Sequence, residues 1–324
     1  MAIRAHNGEK HLPEIFDALL SQQGLENVEW EVLVVDNCSC DRTAEIVRSY
    51  QQQWPSRNPL RYCFESVKGA SVARRRAIEE ANAPLVGFLD DDNIPAERWV
   101  RAAINFAQEH PHAAAFGSQI CGKFESPPPE NFDHIAGFLP VVERPYNVCF
   151  TKGVYDKINM LPPGAGLVIR RQPWLALVPE QQTLQGPVGH SLALKGEDIE
   201  ALMYLKRAGW QIWFNADMYI YHHIPTARLE REYLMRFFKG IGLSRYCTRT
   251  VSYPNWFKPF VAISHLAKDL GRLLAYWFKY HRKFSTDAIL ASKMELYRSS
   301  LISPFYQLKK NLRSLSTQVS PVER

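Results

Sequence analysis

The sequence holds no run that reaches the ~20 uninterrupted apolar residues needed to cross a membrane. The nearest stretch, Trp256 to Tyr280, is broken by Lys258, His265, Lys268, Asp269 and Arg272. Six cysteines are present, Cys38, Cys40, Cys63, Cys121, Cys149 and Cys247, and none has the paired spacing of a structural metal site. No secretory leader is visible, because the chain opens Met1-Ala2-Ile3-Arg4 and soon turns polar. These absences favour a reduced, cytoplasmic setting with the cysteines as packing residues. Internal repeats and low-complexity tracts are missing too. So is any nucleic-acid-binding signature, which argues against nucleic acid as a partner.

What is there is an ordinary globular composition with an uneven charge. At 324 residues and 46% hydrophobic content, one large domain with an appendage is expected. Residues 1–224 hold 21 Lys and Arg against 27 Asp and Glu, whereas residues 225–324 hold 18 against 6. The last hundred residues are therefore strongly basic, which fits an anionic membrane surface or an acidic substrate.

Apolar runs and helical spacing alternate along the first half. Ala2–Ala5 is a short strand, and Leu12, Ile15, Phe16, Leu19 and Leu20 follow a helical period. Val32–Val35 is a continuous strand ending at Asp36, and Asp41 can cap a helix running toward Gln53. Leu60–Phe64, Leu85–Leu89 and Ala113–Gly117 read as strands, with helices over 71–81 and 96–109 between and after them. This rhythm predicts an α/β fold with a mostly parallel central sheet covered by helices on both faces. Such sheets gather ligands at the carboxyl ends of their strands. The rhythm stops after Gly117, and two long loops, 119–163 and 179–195, are expected to carry specificity. Leu167–Ile169 is a further strand. A helix over 197–208 and strands at 211–214 and 218–221 follow.

Three places carry chemistry. Asp90-Asp91-Asp92 follows the apolar run Leu85–Leu89 and precedes a turn at Asn93-Ile94-Pro95. Adjacent carboxylates repel, so a hard divalent cation with open positions for phosphate oxygens is the natural occupant; a solvated acidic turn is the plainer alternative. Glu197-Asp198 opens a helix, where the dipole favours carboxylates. A capped Asp there is expected to stay ionised and fixed in direction, which suits a general base. His222-His223 follows a strand; either ring can pack on Tyr219 and Tyr221 or serve as a neutral metal ligand.

The order of these parts resembles glycosyltransferase family 2, inverting enzymes of the GT-A fold. Val34-Val35-Asp36-Asn37, Lys68-Gly69 with Ala73-Arg74, Phe88-Leu89-Asp90-Asp91-Asp92, Gly164-Ala165-Gly166, Gly196-Glu197-Asp198 and Tyr221-His222 fall in sequence over residues 1–225. Four strings are similar to one subgroup, the cyanobacterial hormogonium polysaccharide glycosyltransferases. They are residues 4–10, 90–95, 161–167 and 240–245. The resemblance implies a Rossmann-like GT-A catalytic domain over 1–225 and a basic, helical extension over 226–324. It implies that Asp36 meets the nucleotide base, that Ala5 and Asn7 line the same pocket, and that Lys68 and Arg74 lie near the donor. Asp90 and Asp92 take the outer places of the acidic motif, with Asp92 on a Mn²⁺ or Mg²⁺ ion. Gly164 and Gly166 let backbone approach the donor sugar. Asp198 becomes the catalytic base, Glu197 its companion near the acceptor, and His222 a ligand of the metal or diphosphate. The partners implied are a nucleotide-diphosphate sugar donor and a glycan or lipid-linked acceptor. Arg4 and His6 stand where the family usually carries Pro and Tyr, and the first strand is short, so the sheet either tolerates it or the start lies further upstream.

Two other readings compete. A nucleotidyltransferase would also hold a metal on carboxylates, yet the glycine- and basic-rich phosphate loop it needs near its first strand is missing. A sugar-nucleotide-binding protein without transfer activity would not need Asp90, Asp92 and Asp198 together. In the basic tail, Phe260, Ile263, Leu266, Leu270, Leu273, Leu274, Trp277 and Phe278 follow helical spacing, with Lys258, Lys268, Arg272, Lys279, Arg282 and Lys283 between them. That pattern reads either as an interfacial helix on an anionic membrane, peripheral on the cytoplasmic face, or as a helix packed on the catalytic domain. From Ser314 onward the chain is expected to fray.

Overall fold

The computed structural model describes residues 1–151, 161–184, 186, 195–251 and 253–318, with side chains to Leu312. Among them nine strands form one sheet. In chain order these are β1 (Ala2–Ala5), β2 (Val32–Asp36), β3 (Leu60–Phe64), β4 (Leu85–Asp90), β5 (Asn93–Pro95), β6 (Ala113–Phe124), β7 (Val148–Cys149), β8 (Val168–Arg170) and β9 (Gln211–Ile224). The sheet order is β3-β2-β1-β4-β8-β6-β9-β5, with β7 also paired to β9. The β3-β2-β1-β4 half is parallel. Beyond it β8 runs antiparallel to both β4 and β6, while β6 and β9 are parallel. The expected α/β sheet is therefore present, and its second half is mixed.

Helices cover both faces because the central strands β1, β2 and β4 are buried on both. The α1 (Leu12–Leu20), α2 (Thr43–Gln51) and α4 (Trp99–Glu109) helices bury Leu12, Ile15, Phe16, Val47, Trp99 and Phe106 against one face. The other face receives α3 (Ala70–Glu80), α5 (Arg171–Leu177) and α6 (Glu197–Arg207) through Ala73, Ala77, Ile78, Trp174, Leu202 and Leu205. The short first strand is tolerated because it lies centrally, bonded to β2 on one side and β4 on the other.

Several expectations change. The turn at 93–95 is strand β5, antiparallel to β9. The strand at 113 runs to Phe124, so the long loop begins later, and residues 132–138 of that loop form two short 3₁₀ turns. The two strands expected at 211–214 and 218–221 are one strand, β9, with a register shift at Ser118/Gln119 of its partner. Parts of both loops, 152–160, 185 and 187–194, lie outside the described residues, so their expected role in specificity has no structural counterpart here. Of the six cysteines Cys247 is buried and Cys63 packs, partly buried, against the core, whereas Cys40 is exposed.

After a 3₁₀ turn, Thr226–Leu229, three helices follow: α7 (Arg231–Thr250), α8 (Lys258–Tyr280) and α9 (Ala288–Gln318). The last of them continues through the stretch expected to fray, as far as Gln318. Leu234, Phe237 and Phe238 of α7 share a core with Phe132, Ile135, Leu139 and Ile224. That packing brings α7 against the catalytic end of the sheet. By contrast α8 buries only Val261, Ala262 and Asp269 among its residues. Phe260, Ile263 and Phe278 are 62%, 64% and 69% exposed, so this part of its apolar surface is uncovered among the described residues.

Candidate active site

The strand register assembles the site. Ala5 pairs with Asp36 and Arg4 with Asp90, so the carboxyl ends of β1, β2 and β4 stop at one level. A cavity of about 740 Å³ opens there. The acidic triplet forms one wall, Gly164 and the start of α6 the facing one, and β9, the 3₁₀ turn and α7 close the side.

Each carboxylate of the triplet has its own partner. Asp90 forms an ion pair with the Arg4 guanidinium. Asp91 accepts the His6 backbone N–H at 2.9 Å. Burial, and then the Asp92 charge, push Asp91 up to about 7. Asp92 faces a cation: Arg228 Nη2 is 2.8 Å and His222 Nε2 3.5 Å from its Oδ2. Burial alone would raise the Asp92 pKa, yet the Arg228 guanidinium beside it holds it well below the usual carboxylate range.

The imidazole of His222 has a defined tautomer. Its Nε2 lies 3.0 Å from Arg228 Nη1, a group that only donates, so Nε2 is the acceptor. Its Nδ1 lies 3.2 Å from the Pro140 carbonyl oxygen, so that nitrogen carries the proton. The next residue turns away. His223 meets Glu14 at 2.9 Å and stacks on His11.

The facing wall is the first turn of α6. Asp198 Oδ2 accepts the Gly164 N–H at 2.7 Å, and Oδ1 accepts the Ile199 N–H at 2.8 Å. The carboxylate is fixed in direction, as its capping position suggests. Burial and the Glu197 charge raise its pKa, outweighing Arg74 and the two amide hydrogens. Glu197 goes the other way. Burial would raise it, but Arg74 and Arg4, at 3.8 and 3.9 Å from Oε1, hold it down.

Buried guanidine nitrogens here lack hydrogen bonds. Arg74 is 1% exposed and, among the described residues, none of its three guanidine nitrogens makes a hydrogen bond. A buried guanidinium without acceptors costs free energy, and an incoming anion removes that cost. Lys195 also borders the cavity, and burial lowers its pKa.

The structure thus brings Ala5, Lys68, Arg74, Asp90, Asp92, Gly164, Glu197, Asp198 and His222 to one cavity. Three expected residues do not line it. Asp36 is 2% exposed and accepts hydrogen bonds from Ser39 N at 2.9 Å and the Tyr62 hydroxyl at 2.8 Å. Asn7, at φ 60°, accepts from Cys40 N at 2.9 Å and shapes the β1–α1 loop. Gly166 takes φ 63°, and its carbonyl accepts the Ser118 hydroxyl at 2.6 Å. Sequence reasoning missed Arg228 and Lys195, which belong to no motif. Arg4 had shown only as an unusual residue.

The model of the family described as "Glycosyl transferase family 2" matches residues 2–165, half of the chain. The chain belongs to that family. Among curated relatives, the putative teichuronic acid biosynthesis glycosyltransferase TuaG of Bacillus subtilis is 28% identical over 130 residues, 40% of this chain and 50% of that protein. The poly(ribitol-phosphate) beta-N-acetylglucosaminyltransferase TarS of Staphylococcus aureus is 30% identical over 112 residues, 33% of this chain and 18% of that protein. The matches thus span half or less of these relatives. Among solved structures, the mannosyltransferase PcManGT from Pyrobaculum calidifontis, in complex with GDP-Man and Mn²⁺, superposes with a TM-score of 0.59 at 16% identity, covering 93% of this chain and 85% of that one. TarS 1–349 in complex with UDP-GlcNAc superposes at 0.51 and 15% identity, covering 95% and 91%. The likeness establishes the GT-A fold.

Proposed function

We propose that this family member is an inverting, metal-dependent enzyme that moves a sugar from a nucleotide diphosphate to a hydroxyl of a glycan or lipid-linked acceptor in exopolysaccharide assembly. The observation that carries this reading is that two sets of carboxylates line one cavity. On one side Asp90 and Asp92 form a cation-demanding wall; on the other Asp198 is held by two backbone N–H groups. Exopolysaccharide as the setting rests on the four strings similar to the hormogonium polysaccharide enzymes.

The residues fit a divalent cation. Asp92 Oδ2 and the lone pair of His222 Nε2 converge on one point, where Arg228 now lies, while Asp90 is paired with Arg4. Carboxylate oxygens with one imidazole suit Mn²⁺ or Mg²⁺ rather than zinc. Asp92, Asp90 and His222 would hold the ion, which would neutralise charge on the departing diphosphate.

The chain's own groups supply the rest. Arg74, whose nitrogens lack acceptors, and Lys68 bind and orient the donor's anionic part. Gly164 keeps the floor low: a Cβ there would collide with Arg74. Asp198 takes the proton from the acceptor hydroxyl as that oxygen attacks the anomeric carbon from the face opposite the leaving group. Its raised pKa brings it closer to the working pH, which favours proton transfer. One displacement inverts the anomeric centre, so no carboxylate nucleophile is needed. Glu197 stays ionised between Arg4 and Arg74 and keeps both guanidinium groups in place beside the acceptor side of the cavity. Asp36, Asn7 and Ala5 shape the loops around the nucleotide base.

The division into a catalytic unit over 1–225 and a basic helical unit over 226–324 is part of the same proposal. No helix among the described residues is long and apolar enough to cross a membrane. The exposed Phe260, Ile263, Leu270, Leu274, Trp277 and Phe278 of α8 favour peripheral attachment to an anionic surface on the cytoplasmic side. A lipid-linked acceptor would be reached from there. The test of the transfer reading is the product's anomeric configuration, read by proton NMR after turnover of a defined sugar nucleotide. Inversion supports it; retention, or binding without turnover, contradicts it.

A further inference from the structure

We propose that Arg228 is a built-in cation that holds the metal position of the unloaded enzyme and must leave it before a divalent ion can bind. This rests on the metal reading given above.

The argument starts from shared atoms. Arg228 Nη2 lies 2.8 Å from Asp92 Oδ2, and Nη1 lies 3.0 Å from His222 Nε2. Those are the two lone pairs that a metal would require of these residues. A guanidinium and a metal ion cannot use the same lone pairs at once, so their binding is mutually exclusive. The guanidinium is also the counter-charge that Asp92 meets beside Asp91 and Asp90. Asp90 has Arg4 for the same purpose, whereas Asp92 has no other full cation within ion-pair distance among the described residues.

The placement of Arg228 permits exchange. It stands on the single 3₁₀ turn Thr226–Leu229, outside both β9 and α7. Its side chain is 33% exposed and borders the cavity. A swing about its own torsions takes the guanidinium from Asp92 into the space where the donor diphosphate would lie. A guanidinium binds phosphate through two parallel hydrogen bonds, so the displaced group finds a new acceptor only when a donor is present. Metal and diphosphate thereby assist one another: the ion releases Arg228, and the diphosphate receives it. On its own the ion must displace Arg228 without that return, so the empty enzyme binds it weakly.

Mn²⁺ binding to the full chain without nucleotide, measured from the electron paramagnetic resonance signal of free Mn²⁺, tests this. Arg228→Met should bind Mn²⁺ more tightly than the parent by roughly 5- to 150-fold, the range of typical site-to-site couplings. Arg228→Lys, which keeps the charge and loses the fork, should fall between them. Melting curves for both variants verify folding; if the Met variant does not fold, the Lys variant alone decides, by binding more tightly than the parent. The Asp92→Asn, Arg228→Met double variant should lose the gain. Equal Mn²⁺ affinity in parent and Arg228 variants, with Asp92→Asn weakening both, overturns the exchange and leaves the metal site standing. No Mn²⁺ binding in any variant overturns the metal reading and this proposal with it.

Discussion

Gly164 donates its backbone N–H to Asp198 Oδ2 at 2.7 Å, which ties the loop before β8 to the first turn of α6. The contact is close on both sides. A Cβ added at Gly164 would lie 3.2 Å from Asp198 Oδ2 and would collide with the Arg74 guanidinium. Gly164→Ala should therefore move Arg74 or Asp198. A shift of about 1 Å at a reacting group costs up to roughly 10²-fold in rate. The expected outcome is a loss of between roughly tenfold and 10²-fold in kcat/KM with a melting temperature close to the parent's. An unchanged kcat/KM would show that the loop yields freely and that this contact does not position the base.

Asp198→Asn keeps the size and the acceptor for the Gly164 N–H but cannot take a proton. The rate should fall by roughly 10²-fold or more, with sugar-nucleotide affinity within a few-fold of the parent. The pH profile gives a second check. Because burial and Glu197 raise the Asp198 pKa, the acidic limb of kcat should lie above the ordinary Asp range and should be absent from the residual activity of the variant. Equal losses in affinity and rate would assign Asp198 to binding.

Asp91 makes a stability prediction with a definite sign. Its folded pKa of about 7 lies above the ordinary carboxylate value of 3.8, so the folded state binds more protons between those limits. Its contribution is favourable at the acid end and is lost as the pH rises through about 7. Asp91→Asn keeps an acceptor for the His6 N–H and removes the buried charge. In the absence of metal the variant should melt a few degrees above the parent at pH 8, on the order of 1 kcal/mol, and the gain should shrink toward pH 5. Thermal melts at both pH values measure it; a variant less stable at pH 8 would contradict the account.

Much of this was legible beforehand, for reasons that individual residues make plain. The strands leading to Asp36 and Asp90 are continuous apolar runs because helices cover both faces, and such runs are easily read. Asp198 was found because carboxylates at a helix start are chemically marked. What escaped depends on long-range pairing. The β5 strand is three residues long, and only its bonding to β9 makes it a strand. Arg228 lies 136 positions from Asp92, and nothing in its local sequence marks a partner there. The raised pKa of Asp198 was missed because burial and Glu197 outweigh Arg74 and the two amide hydrogens, a balance that only packing reveals.

The exposed face of α8 leads to a binding prediction. Fully burying a Trp or Phe side chain contributes about 1.5–3 kcal/mol, and a basic side chain near an anionic surface about 1 kcal/mol. Replacing Trp277 and Phe278, 42% and 69% exposed, by Ser should weaken binding to anionic vesicles and leave thermal stability and transfer to a soluble acceptor nearly unchanged. Binding should also weaken with added salt. A loss of stability without any vesicle binding in the parent would show that this face serves packing.

The most direct test of the central claim is release of free nucleoside diphosphate from a panel of sugar nucleotides with an acceptor glycan, with Mn²⁺ and with chelator, for the parent and for Asp92→Asn. The account predicts release from at least one donor by the parent in Mn²⁺. It predicts loss of most of that release in chelator, and the same loss in the variant, whose fold should persist because Asp92 lies at a strand end outside the apolar core. Equal release in chelator, or by Asp92→Asn in Mn²⁺, would contradict it.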